Sequence, residues 1–367
     1  MKRKVEADAH AHVLHTSKRT CNSQQDRAST LGCLAPPYTG IPFGEPEAKS
    51  IYAIMRQHHG SRLYVLPVAW TTEHLRLLEC KFLEKEVPQN ERKRQLPTTV
   101  GLQVSDDSTA AVKKIDTTRD FAIRAAMILS KPCAMEARGS TIVSILAACG
   151  IKALEKRTSL PFHFDRRVVH IQVDGIFGPN LATPSLAYID LDRLHSLRGE
   201  HVRRKFMLGT IRREKENSPV AKLIEKNLHR LNPQNEIEDP YIVAALVALA
   251  QQQYRKWELR DNAAGVLHDD CAVVQPSVAT STTAPFREQE DSFLRPFKVH
   301  LLAVPGTIPR NLYLYAARIP PVFLDKFDQP SKFSPSGPIP IVYYSLPLRN
   351  ARKLPKRLLR ALRAPVE

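Results

Sequence analysis

Asp190, Asp192 and His195 are the residues whose types and spacing best suit metal chemistry. Two carboxylates at positions i and i+2 lie on one face of a strand, and an imidazole that follows them could complete a divalent-metal site. Asp174, in the turn before this strand, would belong to the same site if the fold brought it there. In the alternative interpretation Asp192 caps a helix and Asp190 ends the strand. Because a lone D-x-D pattern is common by chance, we favour this alternative and predict neither a metal site nor a cofactor.

Glu79-Cys80-Lys81 has the acidic-x-lysine spacing of metal-dependent nucleases, in which the carboxylate binds Mg²⁺ and the lysine steadies the attacking water. Those enzymes carry the triplet on a strand, whereas here it continues the helical spacing of Leu75, Leu78 and Phe82. The sequence also offers no clear partner aspartate. A solvated helix face is therefore the favoured interpretation of this triplet.

Other signals of catalysis or metal binding are weak. The sequence has no Gly-rich phosphate loop, no G-x-S-x-G nucleophile elbow and no H-E-x-x-H zinc motif. His10, His12 and His15 could bind a metal, but ordering a polar segment around it costs entropy, so solvated histidines are favoured. The balance favours a protein that is not an enzyme.

The composition indicates a basic globular protein. Its 367 residues carry a formal net charge of +17, and 43% of them are hydrophobic. Such a charge favours acidic partners such as nucleic acid, acidic protein surfaces or anionic lipid, although it does not determine the fold. The six cysteines include no C-x-x-C pair, which argues against a zinc ribbon, and no apolar run follows the basic first residues. We therefore expect an intracellular protein of the nucleus or cytoplasm.

Two basic segments are candidate binding sites. Lys2, Arg3 and Lys4 form a compact cluster and are a candidate nuclear-import signal, because import receptors bind extended basic segments. Towards the other end, basic residues share an amphipathic helix with leucines, and this helix is a candidate for binding polyanions. The candidate polyanion-binding residues are Arg352, Lys353, Lys356, Arg357, Arg360 and Arg363. In the alternative interpretation the leucines pack on the protein's own core and the cations only face solvent.

The most apolar stretch of the chain, residues 239–253, predicts a buried helix. Asp239 can cap this helix and Pro240 suits its first position. From Tyr241 to Ala250 no residue is charged, and a helix that is apolar on every side must be buried. A membrane-spanning helix needs about 20 apolar residues, so this run is too short to be one. We interpret it as the central helix of the core.

Period-two patterns in the last third of the chain predict strands. Residues 297–304 and 312–317 form an antiparallel hairpin around a Pro305-Gly306 turn, a short helix opens at Pro321, and residues 339–348 form a third strand. The other expected elements are helices at 51–58, 72–82, 121–129, 140–146 and 218–231, and strands at 63–70, 168–173 and 186–191. The predicted fold class is α+β, with an apolar central helix packed with a small, mostly antiparallel sheet, additional N-terminal helices and disordered termini.

The predicted domain organisation has three parts. Residues 1–40 are expected to be a disordered basic tail, residues 46–349 an α+β globular region, and residues 350–367 a basic amphipathic tail. Polar composition predicts loop insertions near 86–115 and 262–292 within the globular region.

Three segments in the globular region resemble a recurring pattern in uncharacterised proteins of filamentous fungi. These segments are Asp239-Pro240-Tyr241 with the Ala-Leu-Val-Ala-Leu-Ala-Gln run after it, the hairpin that ends in Leu312-Tyr313-Leu314-Tyr315, and residues 323–331. The resemblance covers about residues 239–348. It implies an intracellular fungal protein with a helix–strand–strand–helix–strand unit, and it implies no catalytic residue.

These observations lead to one functional prediction and one alternative. The prediction is a non-enzymatic intracellular interaction protein whose basic surface binds nucleic acid or acidic proteins. The alternative is a divergent metal-dependent nuclease or other hydrolase. Convergence of Asp174, Asp190, Asp192 and His195 in one pocket would favour the alternative.

Overall fold

Runs of strands and runs of helices follow one another along the chain and assemble around one large sheet. The structure is a computed structural model. It describes residues 45–88, 120–154, 158–179, 183–207, 218–266, 295–306 and 308–366. The predicted tail 1–40 therefore lies outside the described residues, as do most of the insertions predicted near 86–115 and 262–292.

Strands form where apolar and aromatic residues recur at the spacing of a pleated sheet. In the described residues they are β1 Cys80–Glu84, β2 Lys152–Ala153, β3 Ser159–Phe164, β4 Arg167–Gln172, β5 Gly175–Gly178, β6 Leu186–Asp190, β7 Phe297–Val304, β8 Asn311–Ile319 and β9 Ile339–Pro347. Seven of them form one sheet in the order β1-β9-β8-β7-β6-β5-β2, and β3 pairs with β4 in a separate two-stranded sheet. In the large sheet β1 is parallel to β9 and β6 is parallel to β7, whereas the other neighbours are antiparallel.

Helices pack against both faces of the large sheet. They are α1 Ile51–Gln57, α2 Thr72–Leu77, α3 at residues 120–129, α4 Met135–Ala148, α5 Leu191–Met207, α6 Ser218–Leu231, α7 Pro240–Val266, α8 Pro321–Asp328 and α9 Leu354–Arg363. Short 3-10 turns occur at His59–Ser61, Pro67–Ala69, Glu236–Glu238 and Leu348–Lys353.

The predicted fold class is wrong in its sheet and in its centre. The sheet is not small and mostly antiparallel: it has seven strands and is mixed, because β1 and β6 each have a parallel neighbour. A single apolar helix does not form the centre either, because each face of the sheet has its own apolar core. The architecture is α+β with a seven-stranded mixed sheet, an additional two-stranded sheet and about nine helices in the described residues.

Successive residues of one strand face the two different cores. Along β7, Leu301 and Ala303 belong to the first core, while Leu302 and Val304 belong to the second. The first core contains the buried part of α7, and the second contains residues of α3, α4 and α9. A strand that is buried on both faces has a continuous apolar sequence, which explains the run at the end of β7.

The start of α7 is as predicted. Asp239 Oδ1 accepts a hydrogen bond from the Tyr241 N–H at 2.8 Å, so Asp239 caps the helix. Residues Tyr241–Ala250 are all buried. The helix continues beyond the predicted end at residue 253 to Val266, and from Gln252 onwards its described side chains are half-buried or exposed.

The C-terminal residues belong to the second core, which corrects the prediction of a disordered terminus there. Leu354, Leu358 and Leu362 of α9 are buried in this core. Lys298 of β7 donates from Nζ to Leu362 O at 3.0 Å and to Ala364 O at 3.1 Å, which satisfies carbonyl groups at the end of the helix. The leucines of this segment therefore pack on the protein's own core, as the alternative interpretation predicted, and polyanion binding by its cations stays a prediction.

The chain changes from helix to strand in the middle of the helix predicted at 72–82. Helix α2 ends at Leu77, and Glu79 adopts a left-handed backbone conformation with φ of 56°. A residue in this conformation after a helix terminates it. Residues Cys80–Glu84 then form β1, an edge strand. The prediction that Glu79-Cys80-Lys81 continues a helix is therefore wrong.

Candidate functional site

Asp190 lies at the junction between a strand and a helix. Strand β6 passes directly into α5, and Asp190 Oδ1 accepts a hydrogen bond from the Asp192 N–H at 3.1 Å. Asp190, rather than Asp192 as expected, therefore caps α5. In the neighbouring parallel strand, Val304 pairs with Asp190. The carboxyl ends of two parallel strands thus meet here, at a position where open α/β sheets commonly bind ligands.

Arg138 of α4 pairs with both carboxylates at this junction. Its Nη1 lies 2.9 Å from Asp190 Oδ2, and its Nη2 lies 3.2 Å from Asp192 Oδ2. Nη1 also donates to Gly306 O at 2.8 Å. The side chains of Arg138 and Asp190 are each only 2% exposed. Because an unpaired charge away from water costs several kcal/mol, the guanidinium and the carboxylates need one another.

Asp174 joins the same network from the turn before β5. Its Oδ2 accepts a hydrogen bond from the Asp190 N–H at 2.7 Å, and its Oδ1 lies 3.0 Å from Arg193 Nη1. Burial raises the pKa of Asp174 above its ordinary value, although the Asp190 N–H and Arg193 oppose that shift. We call the five residues of this network the ion-pair centre. They are Arg138, Asp174, Asp190, Asp192 and Arg193.

His195 does not reach the ion-pair centre. Its Nε2 lies 4.0 Å from Glu236 Oε1 instead. The three predicted aspartates therefore converge and the predicted imidazole does not. Across the described residues, no group of three or more His, Cys, Asp or Glu side chains could hold a metal ion. The three aspartates have arginine partners, and the cation between Asp190 and Asp192 is supplied by Arg138.

Sequence patterns indicated the aspartates of this centre but not Arg138. The signal that could have revealed Arg138 is its position on α4, four residues before Ile142 and seven before Ile145, both of which are fully buried. A charged residue on the apolar face of a helix must find a buried partner of opposite charge. A lone arginine on such a face, in a chain with an acidic D-x-D pair, indicates an internal ion pair.

The ion-pair centre also contains a carboxyl group that titrates near neutral pH. Burial, the largest cause, raises the pKa of Asp190 to about 6; Arg138 opposes the shift, and Asp192 and Asp174 add to it. The ordinary value of this group is 3.8. Since the folded chain binds the proton more tightly, this group's contribution to stability is fully present below pH 3.8 and is lost as the pH rises through 6.

Asp190→Asn should remove this pH dependence while keeping an oxygen that caps α5. We expect the free energy of unfolding of the wild type, minus that of the variant, to fall by up to about 3 kcal/mol between pH 4 and pH 7. Urea denaturation of both proteins across this range measures the difference. A difference that is constant with pH would contradict the assignment of a raised pKa to Asp190.

The outward side of α9 is a second candidate site. Lys353, Lys356, Arg360 and Arg363 recur at positions i, i+3, i+7 and i+10, which lie on one face of a helix. All four are exposed, as is Arg352 just before them, whereas Arg357 is half-buried. No acidic residue occurs between residues 349 and 363. We call the exposed set the α9 basic face; its members are Arg352, Lys353, Lys356, Arg360 and Arg363.

The remaining predicted residues do not add to either site. Lys2, Arg3 and Lys4 lie outside the described residues. Glu79-Cys80-Lys81 lies at the start of β1, with Glu79 and Lys81 exposed and Cys80 buried. Burial raises the pKa of the Cys80 thiol to about 12, so the thiol is protonated at neutral pH.

Comparison with known proteins gave no match, whether to family models, to curated proteins or to solved structures. In the part of the chain that the structure describes, no helix has the length and apolarity needed to cross a membrane.

Proposed function

We propose that this protein is a non-enzymatic interaction protein that binds acidic partners, either nucleic acid or acidic protein surfaces, through the α9 basic face. The observation that supports this most is the packing of α9. Because Leu354, Leu358 and Leu362 are buried in the second core, the opposite side of the helix must face solvent. The cations on that side are therefore held in a row by the fold.

The dimensions of this row suit a polyanion. From Lys353 to Arg363 the helix extends about 15 Å, at 1.5 Å per residue. Double-stranded DNA carries one negative charge per roughly 1.7 Å of its axis, so several phosphates lie within reach of such a row. Contacts of lysine and arginine to phosphates position a protein on nucleic acid without reading its sequence. The expected binding is consequently independent of sequence and sensitive to salt.

The alternative function, a divergent metal-dependent nuclease or other hydrolase, has less support among the described residues: Cys80 and Lys81 do lie on a strand, but no group of three or more His, Cys, Asp or Glu side chains there could hold a metal ion. The aspartates of the ion-pair centre already have arginine partners, and His195 lies apart from them. A nucleus or cytoplasm location is part of our proposal, with Lys2, Arg3 and Lys4 as the candidate import signal.

Neutralising the α9 basic face should weaken binding and reduce its dependence on salt. The test variant combines Lys353→Gln, Lys356→Gln and Arg363→Gln, all at exposed positions. The slope of log affinity against log salt concentration should become shallower by up to about 3, because each lost phosphate contact removes about 0.9. Titration of fluorescently labelled duplex DNA at several salt concentrations measures both effects. Replacing three side chains is preferable to deleting the segment, since a chain that ended at Leu348 would lose the core leucines of α9.

A matched control variant removes the same number of positive charges from other parts of the surface. Arg56→Gln, Lys85→Gln and Lys332→Gln are also exposed substitutions and lie in other parts of the chain. This control should bind DNA with nearly the wild-type affinity and slope. Equal losses in the two triple variants, or no loss in either, would refute the α9 basic face as the binding site. A parallel titration with poly-glutamate distinguishes an acidic protein partner from nucleic acid.

A further inference from the structure

A groove that shares no residue with the ion-pair centre or the α9 basic face opens beside α2. Its walls come from α2, α5, α6 and the segment just before α2, and its volume is about 330 Å³. This volume lies at the lower end of the range of small-molecule sites, roughly 300–1,000 Å³. The groove is therefore large enough for one small ligand or one amino-acid side chain of a partner.

Three cations reach this groove from three separate elements. Arg62 precedes α2, Lys205 belongs to α5 and Arg230 belongs to α6, and all three are exposed. None of them forms an ion pair with a carboxylate in the described ranges. The acidic side chain on the wall, Glu73, accepts two hydrogen bonds from Arg76, at 2.6 and 2.8 Å. The groove thus has an excess of positive charge.

The positions of these cations have a structural explanation. Lys205 lies in the last turn of α5 and Arg230 in the last turn of α6, where the helix dipole favours positive charge. Arg62 directly follows the 3-10 turn His59–Ser61. Its φ is 36°, a left-handed conformation that is unfavourable for a residue other than glycine. As Glu79 does for α2, Arg62 in this conformation ends the helical turn that precedes it.

A histidine also lies beside these cations. His201 lines the groove one turn before Lys205. Its pKa is lowered, first by partial burial and then by Lys205 and Arg204, so the surroundings disfavour a further positive charge. A concave surface of one sign concentrates the electrostatic field and attracts ions of the opposite sign.

The floor of the groove is apolar. Ala69 and Val202 are buried there, and Val65 and Leu231 are half-buried beside them. A small hydrated anion buries none of this apolar surface. An ester with an apolar or aromatic body would cover the floor and gain binding free energy from removing that surface from water. The cationic rim and the apolar floor together therefore favour a ligand with an anionic group at one end and an apolar group at the other.

We propose that this groove binds a phosphate monoester, with its dianionic head on Arg62, Lys205 and Arg230 and its organic body on the apolar floor. An arginine guanidinium can donate two parallel hydrogen bonds to two oxygens of one phosphate, and a lysine adds a point charge. Such a head group occurs both on free small molecules and on phosphorylated side chains of peptides. This site is additional to the proposed function, because it shares no residue with the α9 basic face.

Phenyl phosphate is a suitable probe, and calorimetry with the full chain measures its affinity. Arg62→Gly should weaken binding about tenfold. The same substitution should leave the melting temperature unchanged or raise it, because glycine adopts the left-handed backbone without strain. Lys205→Gln combined with Arg230→Gln should weaken binding about a hundredfold. Lys226→Gln, an exposed cation of α6 that does not line the groove, should leave the affinity unchanged.

Two further measurements complete the test. Phenol and an unphosphorylated tyrosine peptide should not bind. Comparing phenyl phosphate with the same peptide carrying phosphotyrosine distinguishes a free ligand from a peptide partner. In NMR titrations, phenyl phosphate should raise the pKa of His201, since an anion nearby stabilises the imidazolium. The proposal would be overturned by no detectable binding of either phosphorylated probe, by unchanged affinity in the groove variants, or by an equal loss in Lys226→Gln.

Discussion

Leu246→Asp should lower the free energy of unfolding by about 5 kcal/mol or more, which is enough to unfold a domain of ordinary stability. Leu246 lies on α7 in the first core and is 0% exposed. The substitution would remove an apolar side chain from this core and introduce a carboxylate with no partner. Thermal melting and urea denaturation followed by circular dichroism measure the effect.

Leu259→Asp provides the matched control on the same helix. Leu259 is 71% exposed, so an aspartate there remains in water. Its effect on the free energy of unfolding should stay within about 0.5 kcal/mol. A Leu246→Asp protein with the wild-type melting temperature would show that the first part of α7 is not buried.

Asp239→Asn should cost about 3–5 kcal/mol through a different mechanism. Arg198 and Asp239 are 0% and 1% exposed and form two hydrogen bonds, from Nη1 to Oδ2 at 2.5 Å and from Nη2 to Oδ1 at 2.6 Å. Removing the carboxylate charge leaves the guanidinium buried and uncompensated. Asparagine still offers an oxygen to the Tyr241 N–H, so the cap of α7 is kept and the loss reports the ion pair.

A second substitution tests whether the lost stability comes from leaving the Arg198 guanidinium buried without a partner. Arg198→Met in the Asp239→Asn background removes the stranded charge, and the double variant should recover most of the lost stability. Chemical denaturation of the two single variants and the double variant gives the coupling free energy. A cost below about 1 kcal/mol for Asp239→Asn, or no recovery on adding Arg198→Met, would contradict the burial of this pair.

Elements that depend on local spacing could be predicted from the sequence. The cap of α7 and the hairpin of β7 and β8 appear where their residues indicated, since capping and strand alternation act over a few residues. Residues 63–70 were predicted as a strand, but Pro67 opens a 3-10 turn there instead. Strand β1 was missed because the helix before it ends through the backbone conformation of Glu79, which the apolar pattern does not encode.

The candidate sites likewise contain some residues that local sequence patterns identify and others that they do not. The cationic row and the D-x-D pair are contiguous in sequence, so their residues could be named from it. The partners of the buried charged groups lie far away in the sequence. Arg138 of α4 pairs with Asp190, and Arg198 of α5 pairs with Asp239 at the start of α7. The groove with Arg62, Lys205 and Arg230 is likewise built from three separated segments. Only the fold brings such residues together, and composition showed no more than that cations were in excess.

The parallel pairing of β1 with β9 has a consequence for folding kinetics. Cys80 pairs with Ile339, so the two strands of this edge are separated by most of the chain. Bringing distant segments together costs loop-closure entropy before any contact stabilises them, and such pairings slow folding. During synthesis β1 emerges long before its partner exists, whereas β8 and β9 are separated only by a short helical connection. The hairpin strands therefore assemble locally and early, and β1 joins as one of the last pieces, when its partner strand is already in place.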